Sequence, residues 1–284
     1  MTKDTQSKFA AHEQKSISEV ARRVLKHTCQ LFIFKPKTGN RPHPNGCGVL
    51  LTIHDQHYCF SNAHVLCDGY LNKTSILVGD GKSLSLGGWY YHTSLPVSGR
   101  REDDPLDISL VRLLPECVDG LLKKGYSFLD GSAVLTGHIA SKSDRLLISG
   151  YPGTKTELNV IEKQVGARPL MLITSPSIKD IPRLGFRKDR HFFARYSITN
   201  IKNLETGRGQ RGPMPNGISG SGLWLLKDKP DGGIQPYLIG IQSEYLERHA
   251  LLVSTRVDLF IDILRQKVDP TIVNHGVGVS IIDH

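Results

Sequence analysis

Gly217-Ile218-Ser219-Gly220-Ser221-Gly222 is the stretch that decides this chain, once two earlier segments are set beside it. These are Ser61-Asn62-Ala63-His64-Val65 and Leu106-Asp107-Ile108-Ser109-Leu110. Each segment places one catalytic residue type in a context that suits its work. A serine hydroxyl is a weak nucleophile at neutral pH, so an imidazole must take its proton as it attacks. A histidine near its free pKa can accept that proton and return it to a leaving group. A buried carboxylate holds the ring in the right tautomer and stabilises the imidazolium. An attacked carbonyl becomes an oxyanion, which backbone N–H groups must receive. Glycines beside the serine permit the tight turn that aims those groups.

On this chemistry Ser219 is the nucleophile, His64 the general base and acid, and Asp107 the orienting carboxylate. The N–H groups of Gly217 and Ser219 form the oxyanion hole. Three alternatives stand beside these assignments. Ser221 is a rival nucleophile, because Ser221-Gly222 follows directly. Asp103 and Asp104 are rival carboxylates, but neither precedes an apolar alternation as Asp107 does. His64 follows an apolar run and could be a core histidine.

The order His, Asp, Ser separates this arrangement from unrelated triad folds. The three segments together resemble the chymotrypsin/trypsin-like serine protease family. Further stretches extend the resemblance over about residues 28–266. Ile148-Ser149-Gly150-Tyr151-Pro152-Gly153 resembles the opening of the second barrel, and Leu238-Ile239-Gly240-Ile241-Gln242-Ser243 the strand whose end pairs with substrate backbone. Residues 253–264 resemble the last strand and terminal helix. The resemblance implies an all-β fold of two antiparallel six-stranded barrels with the active site between them. The expected organisation is an N-terminal helical extension (1–27), a first barrel with His64 and Asp107 (28–140), a second barrel with Ser219 and a terminal helix (141–266), and a tail (267–284).

The resemblance also bears on specificity and activation. The residue six before the nucleophile, Pro213, would lie at the base of the primary specificity pocket, with Leu252 on the opposite wall. Ser243 would line the pocket and Glu244 its mouth. With Pro213 and Leu252 there, a small or aliphatic residue is expected before the cut rather than Arg or Lys, although Glu244 could attract a basic one. Many secreted members are activated when a clipped N-terminus pairs with an aspartate just before the serine. Here Ile218 stands there and cannot pair with an ammonium. Activity regulated by a partner protein or a ligand is therefore expected, with low basal activity. In this respect the chain resembles intracellular bacterial members of the HtrA/Deg type, without a PDZ domain.

Composition bounds the rest. The chain has 284 residues, 39% hydrophobic and 22% charged, enough for a core and unlike a disordered chain. It has no run of eighteen apolar residues, so no spanning helix is expected. The polar start lacks the apolar segment of a signal peptide. The five cysteines are an odd number without metal-ligand spacing. Secreted relatives carry a cysteine directly after the histidine; here Val65 stands there, and Cys47 lies where its partner is expected. The absent bridge fits a reducing cytoplasm, although Cys67 leaves another bridge open. No metal and no organic cofactor are expected. The partners expected are a protein or peptide substrate and an activator, with no membrane.

The formal charge is +9. Residues 183–211 hold eight basic residues against Asp189 and Glu205, interleaved with Phe186, Phe192, Phe193 and Tyr196. That pattern suits nucleic acid, or a solvated loop with aromatics in the core. An enzyme is the main reading; a pseudoprotease scaffold and a nucleic-acid-binding protein are the alternatives. Ile17, Val20, Ala21, Val24 and Leu25 mark one face of a helix. Strands are expected at 30–34, 48–53, 58–61, 75–78, 108–113, 145–149, 158–164, 171–174, 192–197, 222–226, 236–242 and 250–254. A Gly/Pro-rich joint is expected at 38–46.

Overall fold

The computed structural model describes residues 3–35, 41–66, 73–77, 82–159, 164–178, 180–202, 204 and 208–272. A helix, α1 (Lys3–Leu25), leads into β1 (Thr28–Lys35), β2 (Arg41–Ile53) and β3 (Gln56–Ser61). A four-residue turn, α2 (Ala63–Leu66), carries His64. Then come β4 (Thr74–Leu77), β5 (Ser83–Ser85), β6 (Tyr90–His92), β7 (Ser109–Arg112), α3 (Pro115–Lys123) and β8 (Leu129–Asp130). The strand order β5-β4-β1-β2-β3-β7-β6, with β8 added parallel to β2, forms one curled sheet.

The second half contributes β9 (Arg145–Gly150), β10 (Thr156–Asn159), β11 (Gln164–Ala167), β12 (Leu170–Thr174), β13 (Pro176–Ser177) and β14 (His191–Arg195). It continues with β15 (Ile201–Lys202), β16 (Gly209–Gln210), β17 (Gly222–Asp228), β18 (Ile234–Leu246), β19 (Leu251–Arg256) and α4 (Val257–Lys267). Its main sheet runs β12-β9-β17-β18-β19-β14-β13, all antiparallel. The fold is thus mostly β, with two curled antiparallel sheets forming half-barrels. This agrees with the two-barrel fold expected from the sequence, with eight and seven strands in the two sheets among the described residues.

Two local expectations are corrected. Residues 41–46 belong to β2 although they contain Pro42 and Pro44. The two prolines are two residues apart, so both missing N–H donors face the same edge. That edge is the one β3 leaves unpaired until Val49. The strand expected at 158–164 is instead split between β10 and β11, an antiparallel hairpin; residues 160–163 lie outside the described residues.

Each sheet has a buried cluster of its own, and the two share a third between them. Phe60 of the first sheet stacks on Phe260 of α4 at 5.0 Å. Val49, Leu110, Trp224, Leu238 and Ile241 pack in the same cluster. Ile17, Val20, Ala21 and Val24 of α1 join it, on the face that the apolar spacing marks. Ser18 Oγ and Gln14 Nε2 both donate to the Leu204 carbonyl, at 2.9 and 3.1 Å. Residues 13–24 are therefore built into the core rather than appended to it. Burying Ile17, Val20 and Val24 contributes about 1.5–3 kcal/mol each. In the C-terminal stretch Ile272 is buried in this cluster too; residues 273–284 lie outside the described residues.

Candidate active site

Asp107 sits just before β7, with a left-handed backbone, φ +49°. That conformation costs most non-glycine residues on the order of 1–3 kcal/mol, with aspartate among the more tolerant. It is held by its neighbours. Asn62 Nδ2 and the Ala63 N–H both donate to the Asp107 carbonyl at 3.1 Å. The carboxylate faces His64 twice: the His64 N–H donates to Oδ1 at 2.9 Å, and Nδ1–H to Oδ2 at 2.6 Å. The second bond fixes the tautomer, leaving Nε2 to accept a proton. The residues before Asp107 are gripped from the second sheet. His191 Nε2 donates to the Pro105 carbonyl at 2.6 Å and Thr255 Oγ1 to the Leu106 carbonyl at 2.7 Å.

Electrostatics follow from this packing. Burial penalises the His64 imidazolium, yet the hydrogen bond and charge of Asp107, with the charge of Glu244, raise its pKa above the ordinary histidine value; Arg101 opposes them. Burial also raises the Asp107 carboxyl, against the bonds and charge of His64, with Asp104 adding to the rise. Asp103 pairs with exposed Arg100 and Asp104 with Arg101, so of the three aspartates only Asp107 addresses His64.

His64, Asp107 and Ser219 line one cleft of about 520 Å³ between the sheets. Ser219 Oγ donates to the Ser243 carbonyl at 3.3 Å, and His64 Nε2 has no hydrogen-bond partner among the described residues. Serine and histidine thus share the cleft without being bonded to each other. Ser221, the rival nucleophile, is fully buried. Its side chain packs toward Gly150 rather than into the cleft.

The loop before Ser219 is anchored from within the chain. The Cys47 N–H donates to the Ser219 carbonyl at 2.6 Å, and the Gly153 N–H to the Asn216 carbonyl at 2.8 Å. Burial pushes the Cys47 thiol up to about 12, so it stays protonated. It donates to the Gly217 carbonyl at 3.4 Å and accepts the Tyr151 N–H at 3.3 Å. Cys47 is therefore a free, buried bridge between the sheets; Cys67, the alternative disulfide partner, lies outside the described residues. Ile218 is buried in the second sheet's core with Tyr196 and Leu223. The turn needs glycine at two points. A Cβ at Gly217 (φ +91°) would stand 2.6 Å from the Gly153 nitrogen, and one at Gly220 (φ +87°) 1.9 Å from the Cys47 carbonyl oxygen. Among the described residues, neither the Gly217 nor the Ser219 N–H has an acceptor.

The residues expected to bind substrate separate into two groups. Ser243, Glu244 and Leu252 line the cleft. A bulge in β18 between Gln242 and Glu244 shifts the register opposite β19, and Gln242 Nε2 donates to the Glu244 carbonyl at 2.8 Å. Pro213 does not line the cleft. Its carbonyl accepts the Tyr196 hydroxyl, and it borders a separate cavity with Lys155 and Arg168. Tyr245 lies between: it pairs with Leu252 across the sheet and packs edge-on against Tyr196 at 5.5 Å. Sequence reasoning passed over Glu102, Arg101, Glu247 and Asn216, which also line the cleft. Only their charge or amide type marked them, and such residues are common on any surface.

The aromatics of the basic stretch, Phe186, Phe192, Phe193 and Tyr196, are all buried. They offer no faces for stacking bases. Among the described residues no helix is long and apolar enough to cross a membrane, and no group of three metal-ligating side chains occurs.

No family model matches the sequence, and no curated protein matches it. Among solved structures the chain is similar to the serine protease domain of the Sesbania mosaic virus polyprotein. The identity is 16%, covering 84% of this chain and 91% of that chain, with a TM-score of 0.42. A second similar structure comes from work on aromatic interactions that drive the coupled folding and binding of the intrinsically disordered Sesbania mosaic virus VPg protein. There the identity is 15%, covering 84% of this chain and 89% of that chain, with a TM-score of 0.45. None of these comparisons supports the bacterial HtrA/Deg part of the sequence resemblance.

Proposed function

We propose that this chain is a serine endopeptidase that works through Ser219, His64 and Asp107. The observation that carries the reading is the His64–Asp107 pair, bonded through both carboxylate oxygens, in one cleft with Ser219. When substrate enters, Ser219 Oγ leaves the Ser243 carbonyl and gives its proton to His64 Nε2 as it attacks the scissile carbonyl. The tetrahedral oxyanion is received by the Gly217 and Ser219 N–H groups, which are free to donate. His64 then protonates the leaving amine. Water, deprotonated by the same nitrogen, hydrolyses the acyl-enzyme.

An activating partner is expected of a loop with no internal anchor. Ile218, Cys47 and Gly153 anchor this one, and burying an isoleucine alone contributes about 1.5–3 kcal/mol. Basal activity without a partner is the outcome this reading expects. The cleft lining also shifts the expected substrate. Pro213 is turned away, and Glu102, Glu244 and Glu247 line the cleft with Arg101. Peptides carrying a cationic side chain beside the scissile bond are favoured over small aliphatic ones. The pseudoprotease alternative makes the opposite prediction for turnover. A p-nitrophenyl ester separates the two: a protease releases a burst of nitrophenol equal to the enzyme concentration, and a scaffold releases none.

A further inference from the structure

The loop that carries Asp107 is held by a side-chain trio outside the triad. Arg101 and Asp104 form an ion pair (Nη1–Oδ2 3.0 Å) whose side chains are only 8% and 6% exposed. The same Oδ2 accepts the Thr93 hydroxyl. Asp104 Oδ1 accepts the Leu106 N–H at 3.0 Å, and Thr93 Oγ1 accepts the Ile108 N–H at 3.2 Å. The Thr93 N–H donates back to the Ile108 carbonyl at 2.9 Å. Arg101 Nη1 closes the set by donating to the Thr93 carbonyl at 2.9 Å. The residues on both sides of Asp107 are thus tied to one buried unit, and the residue between them is the one with φ +49°.

We propose that Thr93, Arg101 and Asp104 are positioning residues that impose the left-handed backbone at Asp107 and so aim its carboxylate at His64. The proposal rests on the triad reading above. A left-handed non-glycine residue persists only where its surroundings over-determine it. Two anchored N–H groups, one on each side, do that here. The charges also have a division of labour. A second buried carboxylate three residues away would discourage ionisation of Asp107, and the Arg101 guanidinium offsets that charge. Breaking a buried pair by removing one partner leaves an uncompensated charge, so the trio acts as a unit.

Three variants test this: Thr93→Val, which deletes the hydroxyl at similar volume; Thr93→Ser, which restores it; and Asp104→Asn, which sets an amide N–H against at least one of the three donors that the carboxylate accepts. Each is measured by thermal melting, by ester kcat and KM, and by the proton NMR resonance of His64 Nδ1–H. The expected result is a folded Thr93→Val protein whose kcat falls by about 10²-fold, with KM little changed and the Nδ1 resonance lost or displaced. Thr93→Ser should restore both. Folded variants with wild-type kcat and resonance overturn the proposal. So does a lowered melting temperature with kcat and resonance unmoved, or loss of fold in both Thr93→Val and Asp104→Asn, since the trio is then only structural. The resonance is read without turnover. A wild type that shows the resonance but no esterase activity would therefore count against the protease reading and leave the geometry to be judged by the variants.

Discussion

The two halves of the cleft are built in opposite ways. On the His64–Asp107 side the carboxylate and its backbone are held in place: the Asp107 carbonyl takes two donors and each carboxylate oxygen takes one. On the Ser219 side the backbone is anchored but the reactive groups are not. The Ser219 hydroxyl rests on the Ser243 carbonyl, and its N–H and that of Gly217 have no acceptor among the described residues. The difference is the one that the proposed acyl transfer requires. The base and its orienter must be fixed before substrate arrives, whereas the nucleophile and oxyanion donors complete their bonds only with the reacting carbonyl.

The comparison can be broken from either side. The largest effects come from removing the proton transfer itself. Ser219→Ala or His64→Ala should lower peptide kcat by about 10⁶-fold, because such groups act as a unit; a Ser219→Ala protein with wild-type turnover would contradict the assignment. Next comes Asp107→Asn. The amide cannot accept from both His64 donors, so kcat should fall by about 10⁴-fold, measured on the same ester. On the Ser219 side, Gly217→Ala places a Cβ against Gly153 and displaces an oxyanion donor. That should cost about 10²–10³ in kcat, with KM nearly unchanged; a rise in KM alone would show that Gly217 binds rather than stabilises.

The smallest effect sharpens the electrostatics. His64 must be neutral to act as base, and its pKa is raised. Activity should therefore disappear as pH falls through a value above that of ordinary histidine. Glu244 is one cause of the rise, and its own carboxyl is raised by burial and by Asp107. Glu244→Gln should move the acid limb of kcat/KM to lower pH and weaken cleavage beside cationic residues. An unmoved limb would show that Asp107 alone sets His64.

The three segments of the proposed triad stood out because the chemistry they suit is local, and the structure brings their His64, Asp107 and Ser219 to one cleft. The two-sheet fold was legible from β-rich runs: eleven of the twelve expected runs, all but 158–164, fall on strands of the two main sheets. What escaped depends on distance. Pro213 was counted into the pocket from its offset to Ser219, but the Tyr196 hydroxyl and the Tyr245 ring decide where it points. Residues 41–46 read as a joint because of Pro42 and Pro44, and only the pairing partners show that their missing donors face an open edge. The Thr93–Arg101–Asp104 trio spans a loop whose members look like ordinary surface residues until they are buried together. α3 carried a readable signal, Pro115 at its first turn with Cys117, Val118 and Leu121 on one face, and was passed over beside stronger strand patterns.

The most direct test of the account is covalent labelling with a fluorophosphonate probe, followed by peptide mapping, on the wild type beside Ser219→Ala, Ser221→Ala and His64→Ala. One modified site, Ser219, is expected in the wild type and in Ser221→Ala, and no labelling in Ser219→Ala or His64→Ala. Labelling that persists without Ser219, or that is indifferent to His64, would contradict it.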